Sequence, residues 1–531
     1  MTASTDWAKH ASAVFADADA PAGEGWGCAA ARSQKAFKFG VRMSRIWLIS
    51  AALAPLVAGC VTPSKVRTPE ARPPVAYQAP QPNPDSLQPA SLERWWTLYG
   101  DAQLESLVDQ ALANAPDARD ALAKLAQAAA IRTQTLDQLY LPSGAPSGTA
   151  TRTHTDVLSG TTIPGFSQAG DVTSLNGSFN VSWELDLFGR RDAGHKTANA
   201  DFYNAAFTYE ATRTSLAANV AQSLFQARGL SLQLRDAVET ARIDRDLLHI
   251  AQVKFERGLA ASGDVDQATA NAEAADAQAE SLRAQLLVAR RTLLVLVGKG
   301  FDPLENLPAA AQVGTPPAVP ASLPGDLLRR RPDVRAAEWK ITSAAGTLKV
   351  DELAVLPTLK LNPGVTLAKS TGAFGSATAA WSLGSSLTAP VLDRPRLLAQ
   401  IRAQRAVAEQ AVIAYEKAVQ TAYSDAENAF TYLDSDGRRV VMLQNAERRA
   451  ESAYEKARLG YSRGLNDIQT ALTAETTWRN TRTQLSSAQS TLMQRSVQVF
   501  KAIGGGWTSD QPAASTPYAA KAAAAIAEGG R

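Results

Sequence analysis

Two thiols, Cys28 and Cys60, occur in the 531 residues, and both lie ahead of the body of the chain. No disulfide framework or Cys-based metal site can be built from them. The four histidines, His10, His154, His195 and His249, are scattered without ligand spacing. Val297-Gly298-Lys299-Gly300 and Gly504-Gly505-Gly506 lack both the Lys-Ser/Thr ending and the preceding strand of a phosphate loop. They read instead as helix stops, with glycine in left-handed geometry. Arg329-Arg330-Arg331 reads as a solvated face, or as a contact between copies, just before a helix. A net charge of +3 gives no field that would favour nucleic acid. No Ser/His/Asp set and no distinguishable carboxylate pair emerges, so the chain is read as a non-enzyme with no cofactor and no metal. The one residue left with a chemical role is Cys60, whose thiol follows the small residues Val57-Ala58-Gly59.

Arg42, Arg45 and the run from Ile46 to Ala58 form a charged region followed by a short apolar one, the layout of an export signal. The run is too short for a spanning helix, which needs about 20 residues. Val57-Ala58-Gly59-Cys60 resembles the bacterial lipobox. That resemblance implies a lipid on Cys60, which becomes the mature N-terminus, and Val61 after it implies sorting to the outer membrane. Residues 1–59 are therefore read as leader: 1–42 resemble no leader and precede Met43, a natural start, and 43–59 are the lipoprotein signal peptide. Residues 60–90 are a lipidated tether whose prolines prevent helix.

The body must be positioned by strands and long helices. From Leu175 to Leu187 the odd positions read Leu, Gly, Phe, Val, Trp, Leu, Leu and the even ones are polar. Such alternation is a strand with one oily and one wet face, long enough to cross a bilayer at about 9–11 residues. From Arg190 to Phe255, and again from Pro395 to Leu459, the pattern turns Ala-rich and helical, about 100 Å of helix each time. Leu216, Val220, Leu224, Ala227, Leu234, Val238 and Ala241 form a coiled-coil stripe.

The body is also written twice. Pro116-Asp117 recurs as Pro332-Asp333, Pro142 as Pro357, Tyr209-Glu210 as Tyr415-Glu416, Arg257-Gly258-Leu259 as Arg463-Gly464-Leu465, and Val297-Gly298 as Ile503-Gly504. The first repeat is placed at 91–305, with a β-hairpin at about 143–188, and the second at 306–507, with one at about 357–392. Residues 508–531 read as a disordered tail. The first outgoing strand, about Gly148 to Val157, alternates poorly and is placed by symmetry. The second copy's return strand is carried by Trp381, Leu383, Leu387 and Ala389. Lipid tolerates no open strand edge, and four strands fall short of the roughly eight of the smallest filled barrel. The chain must therefore oligomerise, and a ring of three supplies twelve strands.

Arg94-Trp95-Trp96, the stretch from Trp183 to Gly189, the stretch from Leu327 to Glu338, and Gly504-Gly505-Gly506-Trp507 together resemble the TolC-like outer membrane efflux ducts, in their lipoprotein branch. The resemblance covers Ser91 to Trp507. It implies a mainly α protein with a membrane β part: a homotrimer whose long α-helical coiled-coil barrel is continuous with a twelve-stranded β-barrel, four strands per chain. It implies a passive exit duct for drugs and other small toxic molecules, working with a periplasmic adaptor and an inner membrane RND-type pump. The alternatives are a type I protein secretion duct and a lipid-anchored periplasmic coiled-coil scaffold without a pore. The lipobox and the Arg-Arg-Arg-Pro-Asp run favour drug efflux.

In similar proteins the periplasmic aperture is ringed by acids six or nine positions after the glycine of a Tyr-x-x-Gly turn. Tyr461 and Gly464 match that turn, but Thr470 and Thr473 stand at the acidic positions. Asp264, six positions after Gly258, and Asp467 are the nearest substitutes. They are expected either to form the negative mouth of the gate or simply to cap the return helices.

Overall fold

The computed structural model describes residues 66–80, 92–156, 170–320, 323–371 and 375–508. Cys60, the leader and the tail from 509 onward lie outside them.

After a 3-10 turn at Leu92–Tyr99, helix α1 (Ala102–Asn114) is capped by Asp101, whose carboxylate accepts from the backbone N–H groups of Gln103 and Leu104. Helix α2 (Pro116–Tyr140) opens on a proline, where a missing N–H costs nothing. Strands β1 (Ser143–Thr155) and β2 (Gly170–Leu185) follow, then α3 (Arg190–Glu256, 67 residues) and α4 (Ser262–Leu296, 35 residues). The second half has the same order. A short α5 (Leu327–Arg330) precedes α6 (Pro332–Leu353), again opened by proline. Strands β3 (Thr358–Thr371) and β4 (Ser376–Thr388) lead to α7 (Arg394–Ser462, 69 residues) and α8 (Ile468–Ala502, 35 residues). The first outgoing strand thus begins at Ser143, ahead of the predicted Gly148, and Ala389 falls just past β4.

The four strands form one antiparallel sheet in the order β1-β2-β3-β4. Its register explains why the weakly patterned β1 is a strand at all. Pro146 lies opposite Phe179, Phe179 opposite Val365, and Val365 opposite Trp381. One row across all four strands is therefore apolar. The adjacent row reads Ser147, Ser178, Thr366 and Ala380, with the Ser147 and Ser178 hydroxyls 2.7 Å apart. The apolar face is bare: Trp381 is 80% exposed and Leu383 72%. The β2–β3 ladder lacks pairs at Val181 and Ser182, beside Pro363, which has no N–H to give.

All four long helices end on a glycine in left-handed geometry: Gly258, Gly298, Gly464 and Gly504, with φ of 71°, 80°, 75° and 79°. Two bonds close each end, as in Gly298 N–H to Val295 and Lys299 N–H to Leu294, which satisfies carbonyls the helix would otherwise leave open. Gly298 and Gly504 are the stops that the sequence predicts, and they do equivalent work. A Cβ on Gly298 would lie 2.8 Å from the Asn114 carbonyl just before Pro116, and one on Gly504 would strike the Arg330 carbonyl just before Pro332. The core gathers at this level. Trp95, fully buried, stacks on Phe500 at 5.5 Å, and the Trp507 indole donates to the Arg330 carbonyl at 2.8 Å.

The extended segment 66–80 is tied to α7. Arg67 donates to Glu409 (3.0 Å) and Glu416 (2.7 Å), and the Gln78 and Ala79 N–H groups donate to Glu427 (2.6 and 2.9 Å). The Tyr77 ring stacks on Tyr423 at 5.9 Å. The three glutamates are spaced seven and eleven apart, which puts them on one face of α7.

The predicted stripe on α3 needs one correction. Leu216, Val220, Leu224 and Ala227 are buried, as is Ala241, but Leu234 is only half-buried and Val238 is exposed. In that stretch the buried positions are Leu232, Asp236 and Thr240. The inward face there meets the polar face of α8, so burial follows the partner helix and not the apolar residues.

Candidate functional site

The two turns at 257–261 and 463–467 join α3 to α4 and α7 to α8. The Asp264 carboxylate accepts from the Ala261 N–H at 3.3 Å, and Asp467 accepts from the Thr470 N–H at 2.8 Å and from the Thr470 hydroxyl. Asp467 is thus the N-cap of α8, and Asp264, the third residue of α4, closes that helix's start by reaching back to Ala261. The Thr470 hydroxyl, with its backbone N–H, holds the exposed Asp467 carboxyl below the usual range. Among the described residues no hydrogen bond or ion pair joins Asp264 to Asp467. Thr470 and Thr473 line a shallow groove of about 420 Å³ between α7 and α8, with Ala450 and Ala453.

Tyr461 is 4% exposed, and its hydroxyl has no hydrogen-bond partner among the described residues. Burial first, then the Asp264 carboxylate, pushes its ionisation up. Lys254 on α3 donates to the Tyr461 carbonyl at 2.6 Å and sits 3.7 Å from the ring centroid. The end of α3 is thus locked to the end of α7, with Gly464 supplying the turn: its N–H donates to the Tyr461 carbonyl at 3.1 Å. The structure brings Tyr461, Gly464 and Asp264 to one locality and adds Lys254, which sequence reasoning missed.

Behind the turns, α3 and α8 run against each other along a polar seam. Gly229 leaves room for Ser490, whose hydroxyl a Cβ would strike. Further along, Asp236 accepts from Arg482 (2.8 Å), Ser486 (2.7 Å) and Arg235 (3.1 Å). Toward the turns lies Asp244, with a fully buried side chain and Arg479 at 3.6 Å, and then Glu475, 1% exposed. Among the described residues, no hydrogen bond of ordinary geometry reaches either carboxylate of this last pair, nor the buried Tyr454 hydroxyl beside them. Burial drives the Asp244 carboxyl up to about 6, Arg479 opposing and Asp276 assisting. Burial and then the Asp244 charge drive Glu475 up to about 7, against weaker pulls from Arg479 and the Thr476 hydroxyl. The spacing of 475, 479, 482, 486 and 490 on one face of α8 was the signal available for this seam.

A family model described as outer membrane efflux protein matches residues 107–299 and 323–505, the two halves of the fold. The chain belongs to the outer membrane efflux protein family. The family is one of channels and not of enzymes, and it places the chain in the Gram-negative outer membrane. Its pyoverdine export relative OpmQ of Pseudomonas aeruginosa is 27% identical over 486 residues, covering 88% of this chain and 98% of that protein. The toluene efflux pump protein TtgC of Pseudomonas putida is 25% identical over 476 residues, covering 88% and 96%. Among solved structures, the outer-membrane channel OprN superposes with a TM-score of 0.73 at 25% identity, over 84% of this chain and all of that one. The CmeC channel of Campylobacter jejuni superposes with a TM-score of 0.76 at 21% identity, over 88% and 98%, a likeness of fold.

Proposed function

We propose that three copies of this outer membrane efflux protein close a twelve-stranded barrel over a helical barrel, forming the passive exit duct of a tripartite system. The observation that carries this is the sheet. Both of its edges are open and one face is apolar and bare. In an all-antiparallel order β1 and β4 run in opposite senses, so β4 of one copy pairs antiparallel with β1 of the next and no edge remains in lipid. Exposed apolar side chains on the long helices, among them Val288 at 66% and Met442 at 68%, supply surface for neighbouring copies. An inner membrane RND-type pump provides the energy and a periplasmic adaptor bridges the two. Pyoverdine and toluene, named for the relatives, are small molecules, and this supports drugs and small toxic compounds as cargo over secreted protein.

Cys60 carries the lipid in this reading. Six residues lie between it and Arg67, seven Cα–Cα steps with a reach of up to about 23 Å. From the sheet end of α7 at Arg394 down to Glu409, where Arg67 is held, is about 22 Å. Native mass spectrometry of the protein extracted from outer membranes in mild detergent is expected to give three chains, each acylated at Cys60 and lacking residues 1–59. A monomer released without detergent overturns the duct.

Asp264 and Asp467 form the negative mouth, with Tyr461 and Gly464 shaping the turn. Because both acids also cap helices, the test uses Asp264→Asn with Asp467→Asn, since Asn caps as well as Asp. In planar bilayers the double variant is expected to show higher single-channel conductance and weaker cation selectivity. Unchanged traces leave the acids as caps alone.

A further inference from the structure

We propose that Asp244 and Glu475 form a proton-operated latch in the wall of the helical tip: protonated they seal the α3–α8 seam, ionised they loosen it. The latch lies outside the turns assigned to the mouth. Asp244 is about 20 Å along α3 from Arg257, and Glu475 about 12 Å along α8 from Asp467.

The contrast with Asp236 carries the argument. Asp236 and Asp244 are both buried on α3 and both face α8. Asp236 receives three donors, which is what a buried carboxylate needs to stay ionised. Asp244 receives no hydrogen bond from any described residue, and Glu475 adds a second buried carboxyl to the same place. One guanidinium, Arg479, faces two acids. The other groups around them do not correct the balance. On α3, Arg245 is committed to Asp276 of α4, and Asp246 is paired with Arg242. Asp276 itself adds negative charge. On α7, Arg458 acts on Tyr454, and Glu447 accepts from the Trp478 indole at 3.0 Å. On α8, Arg482 is held by Asp236, and the Thr476 hydroxyl exerts only the weakest of the pulls on Glu475. Tyr454 stacks on Trp478 at 5.2 Å and brings a hydroxyl, not a base. The remaining means of satisfying the pair is a proton: a neutral carboxyl has an O–H to donate and no charge to desolvate.

The direction follows from linkage. Both carboxyls hold protons more tightly in the sealed seam than they would in water, so the sealed form is favoured at low pH. That preference is lost as pH rises through about 6 and then about 7. The seam opens where the two halves of the chain meet, α3 from the first and α8 from the second, so loosening it lets the tip pairs move independently.

The test stands apart from the duct reading, because it reads local opening of the full chain in detergent. Hydrogen exchange followed by mass spectrometry, at pH 5.5 and pH 8.0 and corrected for intrinsic exchange, covers peptides spanning 240–250 and 470–480. Their opening is expected to rise on the order of tenfold at the higher pH. Asp244→Asn with Glu475→Gln mimics the protonated pair, keeps every histidine, and is expected to remain closed at both pH values. Asp236→Asn is expected to loosen the seam at both pH values alike. Equal opening of the unaltered protein at both pH values overturns the latch. So does a pH dependence that survives in the double variant.

Discussion

Placing arginine at Phe179 and at Val365, which face each other across β2 and β3, is expected to abolish stable insertion. Each lies in the apolar row near the middle of its strand, and arginine on a lipid-facing strand costs about 2–4 kcal/mol at the bilayer midplane. Two such costs in one sheet take up a large share of what a marginally stable protein has to spare. The control is one residue away. Arginine at Ser178 and at Thr366, also a facing pair, lands on the other face and is expected to leave insertion intact. Outer membrane fractionation, followed by gel migration without boiling, distinguishes the two pairs. Equal tolerance of both would remove the assignment of the apolar face to lipid.

The second large effect concerns two glycines, one at a helix stop and one inside a helix. Gly504→Ala forces a side chain into a φ of 79°, and the new Cβ meets the Arg330 carbonyl, which already accepts the Trp507 indole. Backbone faces the clash, so neither side yields cheaply. The expected loss is about 3 kcal/mol or more, as for other buried clashes at a left-handed position. It is seen as a lowered thermal midpoint of the detergent-extracted protein. Gly437→Ala, inside α7 with nothing within 4 Å of the new Cβ, is expected to stabilise by about 0.5–1 kcal/mol. The same substitution thus has opposite signs at two positions of one chain.

Much of the fold is legible because its periods are long and its punctuation is strong. Thirteen alternating residues admit one secondary structure, and local backbone rules mark starts and stops: proline's fixed φ at Pro116 and Pro332, and glycine's freedom to take positive φ at Gly298 and Gly504. The tip turns are legible for the same reason. Strand β1 lacks such marks. Its sequence, SGAPSGTATRTHT, carries little apolar alternation, and its place is set by the partner row on β2.

The sequence by itself determined the long helices, strand β2, the order of elements in both halves and the family resemblance, because each rests on local steric rules or on short motifs. The tertiary structure alone decided which charged residues lie inside. In an α3 of 67 residues where polar and small side chains occur on every face, no period marks Asp236 and Asp244 as interior or Val238 as exterior. Burial there depends on the register of α8, more than two hundred residues away along the chain, and on close approach at Gly229. The same register gives Asp236 three donors and Asp244 none. A charge on a helix becomes a salt bridge, a cap or a proton site according to what the neighbouring helix places opposite it, and that is fixed only when the helices pack.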